Sequence, residues 1–273
     1  MIMEVENKKR KTVGLVLGAG GGRGMAHIGV IKTLQKHGIP IDYISGSSIG
    51  ALVGAYFALN QEVDSLEATF KKIFQKPFSL LDFKYRYKSL TGNSKVFAVM
   101  KNELYSEKSF EDLRIPFVAV ASDLDTDQAH TFRSGKLIDA CLASMSIPGL
   151  FPVVETNNSH LVDGVLTASL PIKEMQTEFN PDVLIIVDLY KPKDKILEEY
   201  KLNTVIERTY EIFFQKLSRI NMFDCNRPYI KLAPETNEDW RNLLFKNIDR
   251  NIKIGEEECE CNMEAIKKMI NGD

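Results

Sequence analysis

Apolar residues along this chain follow two rhythms, short strand-like runs and longer stretches in which they recur three and four positions apart. Val13 to Leu17, a buried-strand pattern, and Ile41 to Ile44, Phe117 to Ala121, Leu161 to Val162, Val183 to Val187 and Tyr229 to Leu232 belong to the first rhythm and predict strands. Between them, Val30, Ile31 and Leu34 share one helix face, in a helix that stops at Gly38-Ile39-Pro40. Leu52, Ala55, Tyr56 and Leu59 share another. A long amphipathic helix carries Leu202, Ile206, Phe213, Leu217 and Ile220 at helical spacing. Residues 61–110 are less regular and look like an insertion over the sheet. Strands alternating with helices predict an α/β fold with a mainly parallel sheet.

Composition narrows the class. With 273 residues and 44% hydrophobic content, the chain fits one large α/β domain or two small ones. No repeat, linker or compositional bias supports disorder, collagen or coiled coil. We expect a basic, flexible tail over 1–11 and one domain over 12–273, with the motifs in 12–190 and a helical part in 191–273. A net charge of −2 argues against a general nucleic-acid binder. The charged stretch MIMEVENKKRKT lacks a signal-peptide core, and no run of apolar residues is long enough to span a membrane. Four cysteines without such a leader read as reduced thiols, which makes the cytoplasm the expected address. Cys259 and Cys261 have no second pair and no nearby histidine, so no metal is expected there.

Two glycine-rich turns carry the candidate chemistry. Gly46-Ser47-Ser48-Ile49-Gly50 is a G-x-S-x-G, which chance supplies in roughly one chain in fifteen of this length. Its position after a strand and before a helix is the setting of a nucleophile elbow. There Gly46 and Gly50 leave room for a strained Ser48 to project at a helix N-terminus. The rival reading is a tight turn that packs helix on strand. Gly18-Ala19-Gly20-Gly21-Gly22-Arg23-Gly24 also joins a strand to a helix. No register gives G-x-G-x-x-G, so a dinucleotide site with Asp42 on a ribose is disfavoured. An oxyanion hole built from the N–H groups of Gly20, Gly21 and Gly22 fits better.

A base for Ser48 is harder to assign. His27 and His37 precede the serine, and no histidine follows Asp163, the best acid candidate. His130 or His160 with Asp123 or Asp125 stays open, and His27 reads as structural. Asp163-Gly164 equally reads as a hairpin turn.

The glycine loop with Arg23, then MAHIGV, GSSIG, ASMSIPGLFP and VDG, in this order, resemble the patatin-like phospholipases. The likeness is to the small bacterial members related to the catalytic domain of neuropathy target esterase, and it covers about residues 12–190. It implies a three-layer α/β/α sandwich and a Ser-Asp dyad that hydrolyses acyl esters of lipids. By position, Ser48 is the nucleophile, Asp163 its base, Gly20, Gly21 and Gly22 the oxyanion hole, and Arg23 the support of that loop. The chain departs from the pattern at Ala19, where the glycine triplet usually begins, and at Val165, where Gly or Ala is usual.

Ser122 to Asp127 resembles the start of a calcium loop, but Gln128 replaces its glycine and Ser134 its glutamate. Lys71 to Lys88 interleaves lysine and arginine with aromatics, which suits an anionic lipid face or, equally, aromatics packed on the sheet. The expected partners are therefore a lipid ester and the surface of an anionic membrane, with no nucleic acid and no cofactor. A thioesterase or acyltransferase using the same dyad, or a non-catalytic lipid- or nucleotide-binding module, are the alternatives.

Overall fold

Successive strand residues point to opposite faces of a sheet, and the apolar residues here sort themselves accordingly. In β1 (Val13–Leu17), Val13, Leu15 and Leu17 enter one core with Ile44, while Val16 enters a second with Leu184 and Ile186. The computed structural model describes residues 10–74, 89, 92, 94–156, 158–190, 201–236 and 247–272.

The elements follow in the order β1, α1 (Met25–Lys36), β2 (Tyr43–Ser47), α2 (Ile49–Asn60), α3 (Val63–Phe74), α4 (Ser94–Val99), β3 (Phe117–Asp123), β4 (Ala129–Phe132) and α5 (Leu137–Ser144). Then come β5 (Val154–Glu155), β6 (His160–Asp163), α6 (Val165–Ala168), α7 (Ile172–Glu178), β7 (Val183–Val187), α8 (Leu202–Met222), β8 (Tyr229–Leu232), α9 (Ile248–Cys261) and α10 (Met263–Asn271). The sheet runs β5-β6-β3-β2-β1-β7-β8, with β4 paired to β3. Its centre is parallel, from β3 through β2, β1 and β7 to β8, and β4, β5 and β6 pair antiparallel at one side. Helices α1, α2 and α9 cover one face of the sheet, whereas the residues of α7 seal the other, which makes an α/β/α sandwich.

Several expectations shift. Strand β2 begins at Tyr43 and continues through Ser45, Gly46 and Ser47, because β1 pairs with Tyr43 to Gly46 and β3 with Ile44 to Ser47. Within 61–110, α3 is regular and buries Leu66, Phe70, Ile73 and Phe74. Arg10 and Lys11 are engaged, Arg10 with the Asp42 carboxylate and Lys11 with the Met269 carbonyl. From the basic–aromatic stretch, Lys71 pairs with Glu67 and Asp249, Lys72 with Glu103, and Phe74 is buried. Residues 75–88 of that stretch lie outside the described residues.

The largest departure is α8. An amphipathic surface helix ordinarily turns its apolar row to the core. Here Ile206, Phe213 and Ile220 are exposed, while Glu211, Ser218 and Asn221 are buried. Periodicity establishes that a helix has an apolar side, but the polar partners in the loops beneath it, Arg23, Asp188 and the Leu170 N–H, decide which side faces in.

Candidate active site

Ser48 lies between the end of β2 and the start of α2 with φ 55 and ψ −124. For a residue with a Cβ this is a sparsely populated conformation, costing roughly 1–3 kcal/mol unless its surroundings enforce it. Steric crowding explains the flanking glycines. A Cβ on Gly46 would lie 2.5 Å from the Gly50 carbonyl oxygen, and one on Gly50 would lie 2.2 Å from the Leu17 carbonyl oxygen. The elbow is therefore pressed against β1, and only glycine fits at either position.

Asp163 closes the site. The Ser48 hydroxyl donates to Asp163 Oδ2 at 2.7 Å, and the Val165 N–H donates to Asp163 Oδ1 at 2.9 Å. Asp163 is almost wholly shielded from solvent. That desolvation pushes its pKa up from 3.8 to about 7, against the two hydrogen bonds, which favour the charged form. Asp163-Gly164 is no hairpin turn, since β6 ends there and the chain passes directly into α6. Val165 serves the carboxylate through its backbone N–H, and its side chain is buried with Ala19 and Tyr190.

The segment Ala143-Ser144-Met145-Ser146 fixes both partners at once. The Ser48 N–H donates to Ser144 Oγ at 2.9 Å, and that hydroxyl donates to the Val120 carbonyl at 2.6 Å. The Asp163 N–H donates to the Ser146 carbonyl and the Gly164 N–H to that of Ser144. Residue-type reasoning missed Ser144. Its signal was a small polar residue closing the apolar helix α5.

The glycine loop runs beside the elbow. Gly18 and Ala19 spend their N–H groups on the carbonyls of Val187 and Ser169. Ala19 does not adopt a positive φ, so alanine is tolerated there. Gly21, with φ 56, starts a single 3-10 turn that ends at Gly24. The N–H groups of Gly21 and Gly22, in the first turn of a helix, have no intrahelical acceptor, whereas that of Arg23 reaches the Gly20 carbonyl at 3.3 Å.

Three buried side chains brace this loop. The Arg23 guanidinium donates to Glu211 Oε1 of α8 at 2.9 Å, and it lies 5.4 Å from the centre of the Tyr190 ring. Asn251 of α9 donates to the Gly22 carbonyl at 3.2 Å. His27 lies 2.8 Å from the Gly18 carbonyl, and burial lowers its pKa to about 4, so it is neutral and donates through Nε2. Glu211 and Asn251 stand far along the chain from the motifs, which is why no local pattern pointed to them.

The remaining histidines are elsewhere. His160 is exposed and held by Asp125 at 2.8 Å, and the His130 ring packs on Phe132. Among the described residues, no group of three or more His, Cys, Asp or Glu is arranged to hold a metal ion. No described helix is long and apolar enough to cross a membrane.

An α/β/α sheet that carries a serine–carboxylate pair at an elbow, with a glycine loop alongside, has the layout of a class that includes acyl hydrolases. Residues 15–175 match the family model of patatin-like phospholipases, and the chain belongs to that family. The patatin-like phospholipase domain-containing protein ZK370.4 of Caenorhabditis elegans is 36% identical over 171 residues, covering 60% of this chain and 12% of that protein. Lysophospholipase nte1 of Emericella nidulans is 33% identical over 195 residues, covering 70% of this chain and 13% of its own length. The chain thus spans about an eighth of these relatives. The crystal structure of VipD from Legionella pneumophila superposes with a TM-score of 0.53 at 12% identity, over 96% of this chain and 67% of VipD, a likeness of fold.

Proposed function

We propose that the protein is a serine acyl hydrolase, of phospholipase A or lysophospholipase type, that cleaves carboxylic esters of lipids through Ser48 and Asp163. The observation that carries this reading is the 2.7 Å hydrogen bond from a strained serine to a buried carboxylate whose pKa is raised to about 7. An aspartate at its ordinary pKa is a poor base for a hydroxyl, and burial makes this one a better match. Family membership and the lysophospholipase relative support a lipid ester as substrate.

As Ser48 Oγ attacks the ester carbonyl carbon, its proton passes to Asp163 Oδ2. The carbonyl oxygen becomes an anion received by the N–H groups of Gly20, Gly21 and Gly22, with the N-terminus of α2 adding its dipole. Arg23 acts from behind, holding the loop. Collapse expels the alcohol, which takes the proton from Asp163. Water then gives a proton to Asp163 and attacks the acyl-enzyme, and Ser48 recovers its proton as the fatty acid leaves. No metal or cofactor enters these steps.

Ser48→Ala should fold as the parent does and lose hydrolysis of a short p-nitrophenyl ester by several orders of magnitude. It should also lose labelling by a fluorophosphonate probe, which reacts only with an activated serine. Retained turnover in Ser48→Ala would end the reading.

A further inference from the structure

Helix α8 presents to water what such a helix ordinarily hides. Its inward side buries polar groups, with Glu211 paired to Arg23, Ser218 to Asp188, and Asn221 to the Leu170 N–H, beside Phe214 and Met222, which pack on the core. Outward, Val205, Ile206, Ile212, Phe213 and Ile220 are 40–57% exposed, and Phe223, just past the helix, is 88% exposed. At 3.6 residues per turn these six fall within an arc of about 120°. Lys216 lies inside the arc and Arg219 at its edge, both exposed. Turning the helix to bury the row would strip Glu211 from a buried guanidinium, a change that is strongly destabilising. The apolar face is therefore locked outward.

We propose that this face docks the protein on a bilayer containing anionic lipid, its apolar side chains entering the interface while Lys216 and Arg219 meet headgroup charge. The charge pattern favours a bilayer over a second protein chain, because lysine is depleted at the centre of protein interfaces but usual on interfacial helices. The choice of lipid rests on the acyl-hydrolase reading above, whose substrate is found at such a surface. The same helix reaches the site from its inner side, where Glu211 holds Arg23 and the Phe214 ring lies 5.4 Å from that of Tyr190.

Vesicles of phosphatidylcholine, with and without phosphatidylserine, test this by co-sedimentation with the full chain. The protein should bind the anionic vesicles better, and salt should weaken that binding. Phe213→Ser with Ile220→Ser and Phe223→Ser should weaken binding about tenfold or more at any salt concentration. Lys216→Ser with Arg219→Ser should remove only the salt-sensitive part. Hydrolysis of a soluble short-chain ester should stay at the parent level in both. Phe223→Ser alone, beyond the helix, repeats the readout if the triple variant does not fold. Unchanged vesicle binding in these variants would overturn the proposal. So would a dimer of the parent that the apolar variants convert to monomer, because the face would then be an interface between copies. Failure of the acyl-hydrolase reading would show instead in fluorophosphonate labelling, which does not depend on this face.

Discussion

Helices α2 and α8 are both rich in apolar residues, yet the fold uses them in opposite ways. Ile49 to Ala58 of α2 are buried throughout, and the helix serves to hold the elbow against the sheet. Helix α8 buries Glu211, Ser218 and Asn221 instead and leaves its apolar side to solvent. The first kind of helix belongs to the part of the chain that matches the family model, residues 15–175, and the second lies beyond it. The difference suggests a division of labour. The motif-bearing part holds Ser48 and Asp163, whereas the later helices brace the loop beside them and form the outer surface.

The buried Arg23–Glu211 pair ties the two regions together, and breaking it should have the largest effect. Glu211→Gln removes the carboxylate that pairs with the buried Arg23 guanidinium and should cost up to about 3–5 kcal/mol, visible as a lower thermal midpoint. The oxyanion role proposed for the loop predicts that ester hydrolysis falls in kcat more than in KM. Arg23→Met with Glu211→Leu should recover much of the stability. If kcat recovers with it, the pair serves folding alone and the division of labour fails.

A smaller effect is expected at the second brace. Asn251→Ala removes one hydrogen bond to the Gly22 carbonyl and should cost about 1 kcal/mol, with a modest drop in kcat. Helix α9 can reach the loop because Gly255 lies against α1, where a Cβ would sit 2.0 Å from the Ala26 carbonyl oxygen. An unchanged thermal midpoint and kcat in Asn251→Ala would show that α9 packs on the loop without bracing it.

The smallest effect falls beside the nucleophile. The Ser47 hydroxyl is buried without a hydrogen-bond partner, so Ser47→Ala should leave activity unchanged and stability equal or slightly higher. A large loss in either would mean that this hydroxyl has a role the geometry does not reveal.

Legibility in the sequence follows the same divide. Val13–Leu17 and Val183–Val187 are strands with the bounds their apolar runs suggest, since burial on both faces leaves a strong signal. The end of β2 was hidden because Ser45, Gly46 and Ser47 have weak strand propensity and owe their conformation to their neighbours. Ser48 and the glycine loop were legible from local spacing, and Asp163 only through the ordered set of motifs. Ser144 lies within the ASMSIPGLFP motif without a role being assigned to it, whereas Glu211 and Asn251 were not legible, because each acts through a contact across the fold rather than through a local pattern. The orientation of α8 was beyond reach for the same reason.

Asp163 as the base is the centre of the account, and its raised pKa gives the sign of the pH dependence. Activity should rise with pH through about 7, as the carboxylate forms. Stability should run the other way. A folded pKa above the unfolded value means that folding retains a proton, so this group's contribution is lost as pH rises toward 7, and Asp163→Asn should be the more stable protein at alkaline pH. The most direct measurement is the pH profile of kcat/KM on a soluble ester for Asp163→Asn and for His130→Gln with His160→Gln in one protein. The dyad predicts a histidine variant with the parent profile and an aspartate variant that is folded and nearly inactive at every pH. An active Asp163→Asn beside a dead histidine variant would contradict it and require a Ser-His mechanism.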